Sequence, residues 1–372
     1  MTVMVFTAIA VGIFALIANN QNTRATSPYT KTNPEHKRPT TYWLFVFICT
    51  AILACVAGLR YYVGTDYGSY YRGYANTAAE FTELIKTWDE PGLSVIAKFL
   101  MFFSEDGAVF VFALAAITVF LFVFMLAKHT DDFFFVVMLY IFTSCWSGCF
   151  NGARQYLAAA ILFAGHRYIF ERKFIHYCIV VFLASSFHIT ALIMLPMYFI
   201  ITKRLSLQKI VFILVSGIAL VYSYDFLFGL VGILKDSETG GADTTYAQND
   251  IHPLRIAIAF APIVLYLFFA LQKKTFSEEE NFYMGFIFVR AAIIFGTANS
   301  AYLNRVGIYF APFIPLALEV LINKFDKKQQ PLIKAIILIL YAILWIYIDA
   351  SQTEWGWVFN RDGEYTPASD LK

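Results

Sequence analysis

Apolar runs long enough to cross a bilayer recur along the whole of this 372-residue chain, and that repetition leaves few folds open to it. A helix needs roughly 20 mostly apolar residues to cross the hydrocarbon core, somewhat fewer if its flanking residues snorkel. With 59% hydrophobic and 15% charged residues, the chain reads as an all-α polytopic integral membrane protein.

Spans are expected near 2–18, 42–59, 107–127, 132–148, 152–170, 208–226, 254–272, 281–299, 303–323 and 331–348. The remaining stretch, 175–202, is too long for one comfortable crossing and holds His188 and Pro196. Basic pairs flank both its ends, Arg172 with Lys173 and Lys203 with Arg204, so the chain returns to its starting side. Reading 175–187 and 189–202 as a short-helix hairpin turning near His188 gives twelve spans in a single transmembrane domain, 1–372. The first run lacks a basic leading region and reads as a retained span rather than a cleaved signal peptide.

The positive-inside rule then orients the bundle with both termini outside. Fifteen basic residues, eleven of them lysine, fall on the cytoplasmic side, against ten on the opposite side, six of them arginine. The outer segments are 60–106, 227–253 and the tail 349–372. Within the first, Pro91 to Phe103 is apolar but too short to cross easily, and a re-entrant or interfacial helix is expected there. The 227–253 loop suits a substrate lid as readily as a plain connector. No internal repeat is visible, which weakens an inverted-repeat transporter. The five cysteines show no zinc-type spacing, and the net charge of +2 gives no footing for nucleic-acid binding.

Arginine on the outer side is the chemically informative feature. Lysine suffices where only charge is read, whereas the guanidinium fork grips phosphate oxygens at two points. Outer arginines therefore point to an anion-binding cavity; the alternative is that they snorkel to lipid headgroups or pair with outer-face acids. The densest constellation runs from Gly58 to Arg72 and combines Arg60 and Arg72 with Asp66, five tyrosines and three glycines. Tyr61, Tyr62, Tyr67, Tyr70 and Tyr71 offer faces for sugar rings, although tyrosines also furnish ordinary interfacial belts. Asp66 separates the two readings, because a belt needs no carboxylate between arginines.

Further along, Arg154 and Gln155 open the span at 152–170, and Arg290 lies within 281–299, with Glu319 or a ligand phosphate as its expected partner. Asn299, Tyr302, Asn304 and Arg305 fall on a short outer turn. His188 sits in Ser185-Ser186-Phe187-His188-Ile189-Thr190, where it is either a hydrogen-bonded structural residue or a group for acid–base work.

These residues carry a resemblance. Arg60 through Gly64-Thr65-Asp66-Tyr67 to Tyr71, Glu90-Pro91-Gly92, Arg154-Gln155 before a small-residue helix, and Phe187-His188 before Leu195-Pro196 resemble the EpsG family over roughly 40–325. That family belongs to the Wzy-type bacterial polysaccharide polymerases. One departure is that many members place Gly-Tyr after the glutamate, where this chain has Pro91-Gly92.

The resemblance implies an inverting, metal-independent glycosyltransferase of GT-C-like architecture, without a cofactor. It would join undecaprenyl-pyrophosphate-linked oligosaccharides at the outer face of the inner membrane, beside a flippase and a chain-length regulator. Diphosphate leaving groups gain charge as the glycosidic bond breaks, so Arg154 and Arg305 are expected to stabilise them, with Arg60 and Arg290 next. Asp66 or His188 is the expected base, and Tyr61, Tyr67, Tyr71, Arg72, Gln155, Tyr302 and Asn304 the expected substrate contacts. A flippase for the same lipid, a polysaccharide ligase and a membrane O-acyltransferase are the competing functions.

Overall fold

With no water in the hydrocarbon core to satisfy backbone groups, a long apolar segment must close its own hydrogen bonds as a helix. Helix accordingly fills each apolar stretch of the computed structural model, which describes residues 1–21, 38–222, 253–297, 303–351 and 353–360. Apart from an isolated antiparallel bridge between Arg60 and Trp357, all regular structure among the described residues is helical. Tyr302 and most of the 227–253 loop lie outside the described residues.

In chain order the helices are α1 (Thr2–Gln21), α2 (Thr40–Gly58), α3 (Tyr67–Ala79), α4 (Phe81–Thr87), α5 (Pro91–Met101), α6 (Gly107–His129), α7 (Phe133–Phe142) and α8 (Ala153–Gly165). Next come α9 (Arg167–Phe170), α10 (Phe174–Ser185), α11 (Met197–Ile200), α12 (Leu207–Tyr222), α13 (Pro253–Leu271), α14 (Glu278–Gly296), α15 (Ile314–Ile322) and α16 (Gln330–Trp345). Five segments are long and apolar enough to cross a membrane: Thr2–Gln21, Thr40–Gly58, Gly107–His129, Asn304–Ile322 and Gln330–Ala350. The 304–322 segment is 89% buried and runs through the centre of the bundle, whereas 330–350 is 6% buried and lies at its edge. Large apolar side chains such as Phe6, Phe47, Ile179 and Leu271 face outward, as lipid-facing surfaces do.

Several expected spans are broken into pieces. The 303–323 stretch starts as a 3₁₀ helix, Leu303–Phe313, and becomes α-helical only at Ile314, with Pro312 and Pro315 beside the junction. Proline removes a backbone donor and crowds the preceding turn, which is reason enough for the change. The 175–202 stretch is α10, a turn at Ser186–His188, a 3₁₀ helix Ile189–Met194 and then α11. Tyr177 donates to the Met194 carbonyl at 2.6 Å and Arg172 to that of Tyr198, so the returning segment lies back along α10. Broken backbone at membrane depth is tolerated where protein covers it or where it lines a cavity.

Close packing fixes the frame. A Cβ on Gly58 would lie 2.4 Å from the Phe112 ring, so glycine is what lets α2 approach α6. At one end, Asp106 caps α6 through the Ala108 N–H at 3.0 Å. At the other, Ser277 and Glu280 form a capping box at the start of α14, and Lys334 meets Asp132 at 2.6 Å.

Candidate functional site

The segment after α4 carries two unusual backbone conformations in three residues. Trp88 and Glu90 both adopt left-handed values, with φ of 55° and 52°. For residues with a Cβ this costs on the order of 1–2 kcal/mol each, so surrounding structure must hold them there. Pro91 follows at the first helical position of α5, where its missing N–H costs no hydrogen bond. The Pro-Gly that departs from the family pattern therefore starts a helix. Gly92 donates to the Ser186 carbonyl at 2.7 Å, and a Cβ there would meet Ser186 Oγ at 2.7 Å and the Phe187 ring at 2.9 Å. Only glycine lets α5 seat on the hairpin turn so closely.

That seating delivers Glu90 to its partners. Its carboxylate is buried, with one oxygen 2.8 Å from His188 Nδ1 and the other on Arg154 Nη1. Arg154 Nε donates to Tyr70 Oη at 3.2 Å, with the guanidinium carbon 5.9 Å from the centre of that ring. Four distant segments thus meet: α3, the start of α5, the start of α8 and the hairpin turn. Gln155 extends the cluster by donating to the Arg305 carbonyl at 2.9 Å, and Thr190 meets Tyr309 Oη at 2.6 Å on the same 3₁₀ segment.

Burial opposes ionisation of Glu90, but the His188 hydrogen bond and the Arg154 charge outweigh it and hold the carboxyl below its usual range. Burial pushes the Tyr70 phenol upward despite the neighbouring Arg154. An ionised carboxylate only accepts hydrogen bonds, so His188 Nδ1 must carry the proton. In the neutral imidazole Nε2 is then the lone-pair nitrogen. The side chains of His188 and Arg154 are 22% and 46% exposed, so both can be approached from outside the cluster.

The remaining expected residues are distributed differently. Arg60 is 1% exposed and turns back into the fold. It donates to the carbonyls of Val63 and Ala57 beneath the rings of Tyr67 and Phe150, which locks the chain after α2 against the 356–358 segment. Tyr61, Tyr62, Tyr67 and Tyr71 pack on one another, with Tyr67 and Tyr71 stacked 5.7 Å apart. Tyr67 is fully buried, leaving Tyr61, Tyr62 and Tyr71 partly open. Exposed Arg72 lies 3.4 Å from Tyr62 Oη. Asp66 accepts from the Thr65 hydroxyl at 3.1 Å and forms no ion pair with an arginine among the described residues.

Arg305 is exposed, and its guanidinium forms no ion pair among the described residues. Arg290 and Asn304 line a separate cavity of about 230 Å³. Of the two partners considered for Arg290, Glu319 does not pair with it. Glu319 lies toward the opposite end of the bundle, where Thr130 Oγ1 and the Asp131 and Asp132 N–H groups donate to it at 2.7, 3.1 and 2.9 Å. Sequence reasoning noted Glu90 only as part of a motif and gave it no role; the signal available was a glutamate placed directly before Pro-Gly at the head of an apolar segment.

The fold and this cluster together define a class: a polytopic helical membrane protein whose charged centre is held among broken helices. The chain belongs to the EpsG family, whose family model matches residues 43–357 and so takes in every segment of the cluster. That family is associated with Wzy-type polysaccharide polymerases. No curated protein and no solved structure gives a significant match to the chain.

Proposed function

We propose that this protein is a glycosyltransferase that polymerises lipid-linked oligosaccharide repeat units, with His188 as the base and Glu90 as the residue that positions it. The observation that carries this reading is the single carboxylate shared by a histidine and an arginine from opposite sides. His188 Nε2 takes the proton from an acceptor sugar hydroxyl as that oxygen forms a bond to the donor's anomeric carbon. The bond from this carbon to the lipid diphosphate breaks, its electron pair leaving on the diphosphate oxygen, with inversion at carbon. Glu90 stabilises the imidazolium that forms, and Arg154 holds Glu90 in place from its other side.

The wider setting follows from the sequence reading together with family membership. The donor and acceptor are undecaprenyl-pyrophosphate oligosaccharides, and the partly open tyrosines of the 61–71 loop offer sugar-stacking faces. The bundle makes twelve crossings of the inner membrane in a GT-C-like arrangement, with the cluster at the non-cytoplasmic face and α5 in the interface. The exposed Phe99, Phe102 and Phe103 at the end of α5 support that interfacial position. A flippase delivering substrate and a chain-length regulator are its partners.

Purified protein supplied with lipid-linked repeat units is the test. A ladder of product lengths is expected from the unmodified chain and from Asp66→Asn, and none from His188→Gln. A single transfer step would instead indicate a ligase, absence of covalent product would indicate transport, and a ladder from His188→Gln would remove that residue as the base.

A further inference from the structure

The cavity on the far side of the 303–313 segment does not belong to the Glu90 cluster. Its volume is about 230 Å³, and Arg290 from α14, Arg255 from α13, Asn304, Tyr341 and Trp345 from α16, and Asp349 all contribute to its wall. That size is below the roughly 300–1,000 Å³ of a pocket for a drug-sized ligand, so it suits a headgroup rather than an oligosaccharide.

Three polar atoms on this wall are buried without a hydrogen-bond partner among the described residues: Arg290 Nε, Asn304 Oδ1 and Trp345 Nε1. Buried polar groups are nearly always paired, and three orphans around one cavity mark a place where pairing is left to a ligand. Two guanidinium groups and an indole N–H are donors, which selects an anion. Among the described residues Asp349 is the only carboxylate lining it, and one of its oxygens accepts from Ser147 Oγ at 2.6 Å. With Asn304 Oδ1, it presents acceptors suited to a hydroxyl beside the anion. The cavity also adjoins the proposed reaction centre: Asn304 lines it, while the carbonyl of the next residue, Arg305, holds Gln155 beside Arg154.

We propose that this cavity is a diphosphate site, holding the charged headgroup of the lipid-linked substrate apart from the cluster that activates the acceptor hydroxyl. The assignment rests on the glycosyltransferase reading above. It divides the labour between arginines: Arg290 and Arg255 grip phosphate oxygens, whereas Arg154 is committed to Glu90 and Tyr70.

Binding can be tested without turnover, using the full-length chain in nanodiscs and two probes, a short-chain polyprenyl diphosphate and inorganic pyrophosphate. The lipid probe is expected to bind the unmodified chain and the inactive His188→Gln chain equally. Its affinity should fall at least tenfold in Arg290→Gln and severalfold in Trp345→Phe, a milder change that keeps the indole's place filled. Arg154→Lys should bind within about twofold of the unmodified chain. Loss of binding in Arg154→Lys with retention in Arg290→Gln would overturn the proposal, as would no binding to the unmodified chain. Equal affinity for inorganic pyrophosphate would uphold the anion site and overturn its assignment to a lipid headgroup. If the diphosphate binds as expected while His188→Gln still builds polymer, the site stands and the reaction assigned above fails.

Discussion

Two carboxylates are buried to the same degree in this molecule, Glu90 at 7% exposure and Glu319 at 6%, and their surroundings have little in common. Glu319 accepts from a threonine hydroxyl and two backbone N–H groups, all fixed by the turn between α6 and α7. Near it, lysines act as point charges: Lys334 meets Asp132 at 2.6 Å, and Lys324 meets Glu280 at 2.7 Å. Nothing in that arrangement needs to change charge or move, so Glu319 works as a staple. Glu90 is bound by two side chains that are partly open, one from the start of α8 and one from the hairpin turn. One of them can gain and lose a proton. On the proposed reading, equal burial thus serves structure at one end of the bundle and chemistry at the other, and the partners decide which.

Exchanging each carboxylate for its amide tests that contrast most severely. Glu90→Gln should lower polymer formation by about 10⁴-fold, as losing the orienting acid of a catalytic histidine does, because Nδ1–H then lacks its anion and Arg154 its counter-charge. Glu319→Gln should reduce the amount of folded protein yet leave turnover per folded molecule within a few-fold. Product per folded molecule, after size-exclusion purification, separates the two. Full activity in Glu90→Gln would end the distinction between them.

His188→Gln should cost as much, about 10⁴-fold, the upper end of the range for a removed general base, because Glu90 acts through it. Arg154→Lys keeps a charge near Glu90 but gives up the fork that also reaches Tyr70, and about 10²-fold is expected, typical of losing one well-placed donor. Tyr70→Phe removes one hydrogen bond, worth about 1 kcal/mol, so roughly a fivefold effect is expected. Initial rates on the same lipid-linked acceptor place all three on one scale. If the Tyr70 effect equalled that of Arg154→Lys, the fork would matter only through the phenol.

Much of this architecture was legible in the chain, for reasons that also explain what was missed. Apolar length reports where helices lie, because the backbone has no alternative in lipid, and paired basic flanks reported that 175–202 folds back. The turn at His188 was therefore readable. Glu90 was not: its partners lie 64 and 98 residues away, and no local pattern reports such pairing. Arg60 misled in the opposite way. Its place among tyrosines suggests a ligand, but whether a side chain leaving a helix end turns outward or back onto Val63 and Ala57 depends on the docked 356–358 segment. Considering Glu319 as one partner for Arg290 assumed that charges within neighbouring spans share a depth, which spacing along a chain does not guarantee.

The smallest expected effect concerns acid. Glu90 titrates below its ordinary value of 4.5 in the folded protein, so the native state holds fewer protons on this group than the unfolded chain does. Its contribution to stability is complete above the ordinary carboxylate value and is lost as pH falls through the lowered one. Between pH 7 and about 5 the contribution should therefore stay flat, and the unmodified chain should melt above Glu90→Gln by a constant margin. Below about pH 4 that margin should close. Glu319→Gln supplies the control, because the Glu90 contribution is intact in it. Thermal unfolding of the three proteins in detergent across this range reads the margin directly. A gap between the unmodified chain and Glu90→Gln that widens as acid is added would mean that Glu90 is neutral in the folded state. His188 Nδ1 would then lose its anionic partner, and the Glu90 cluster would be a second staple rather than a reaction centre.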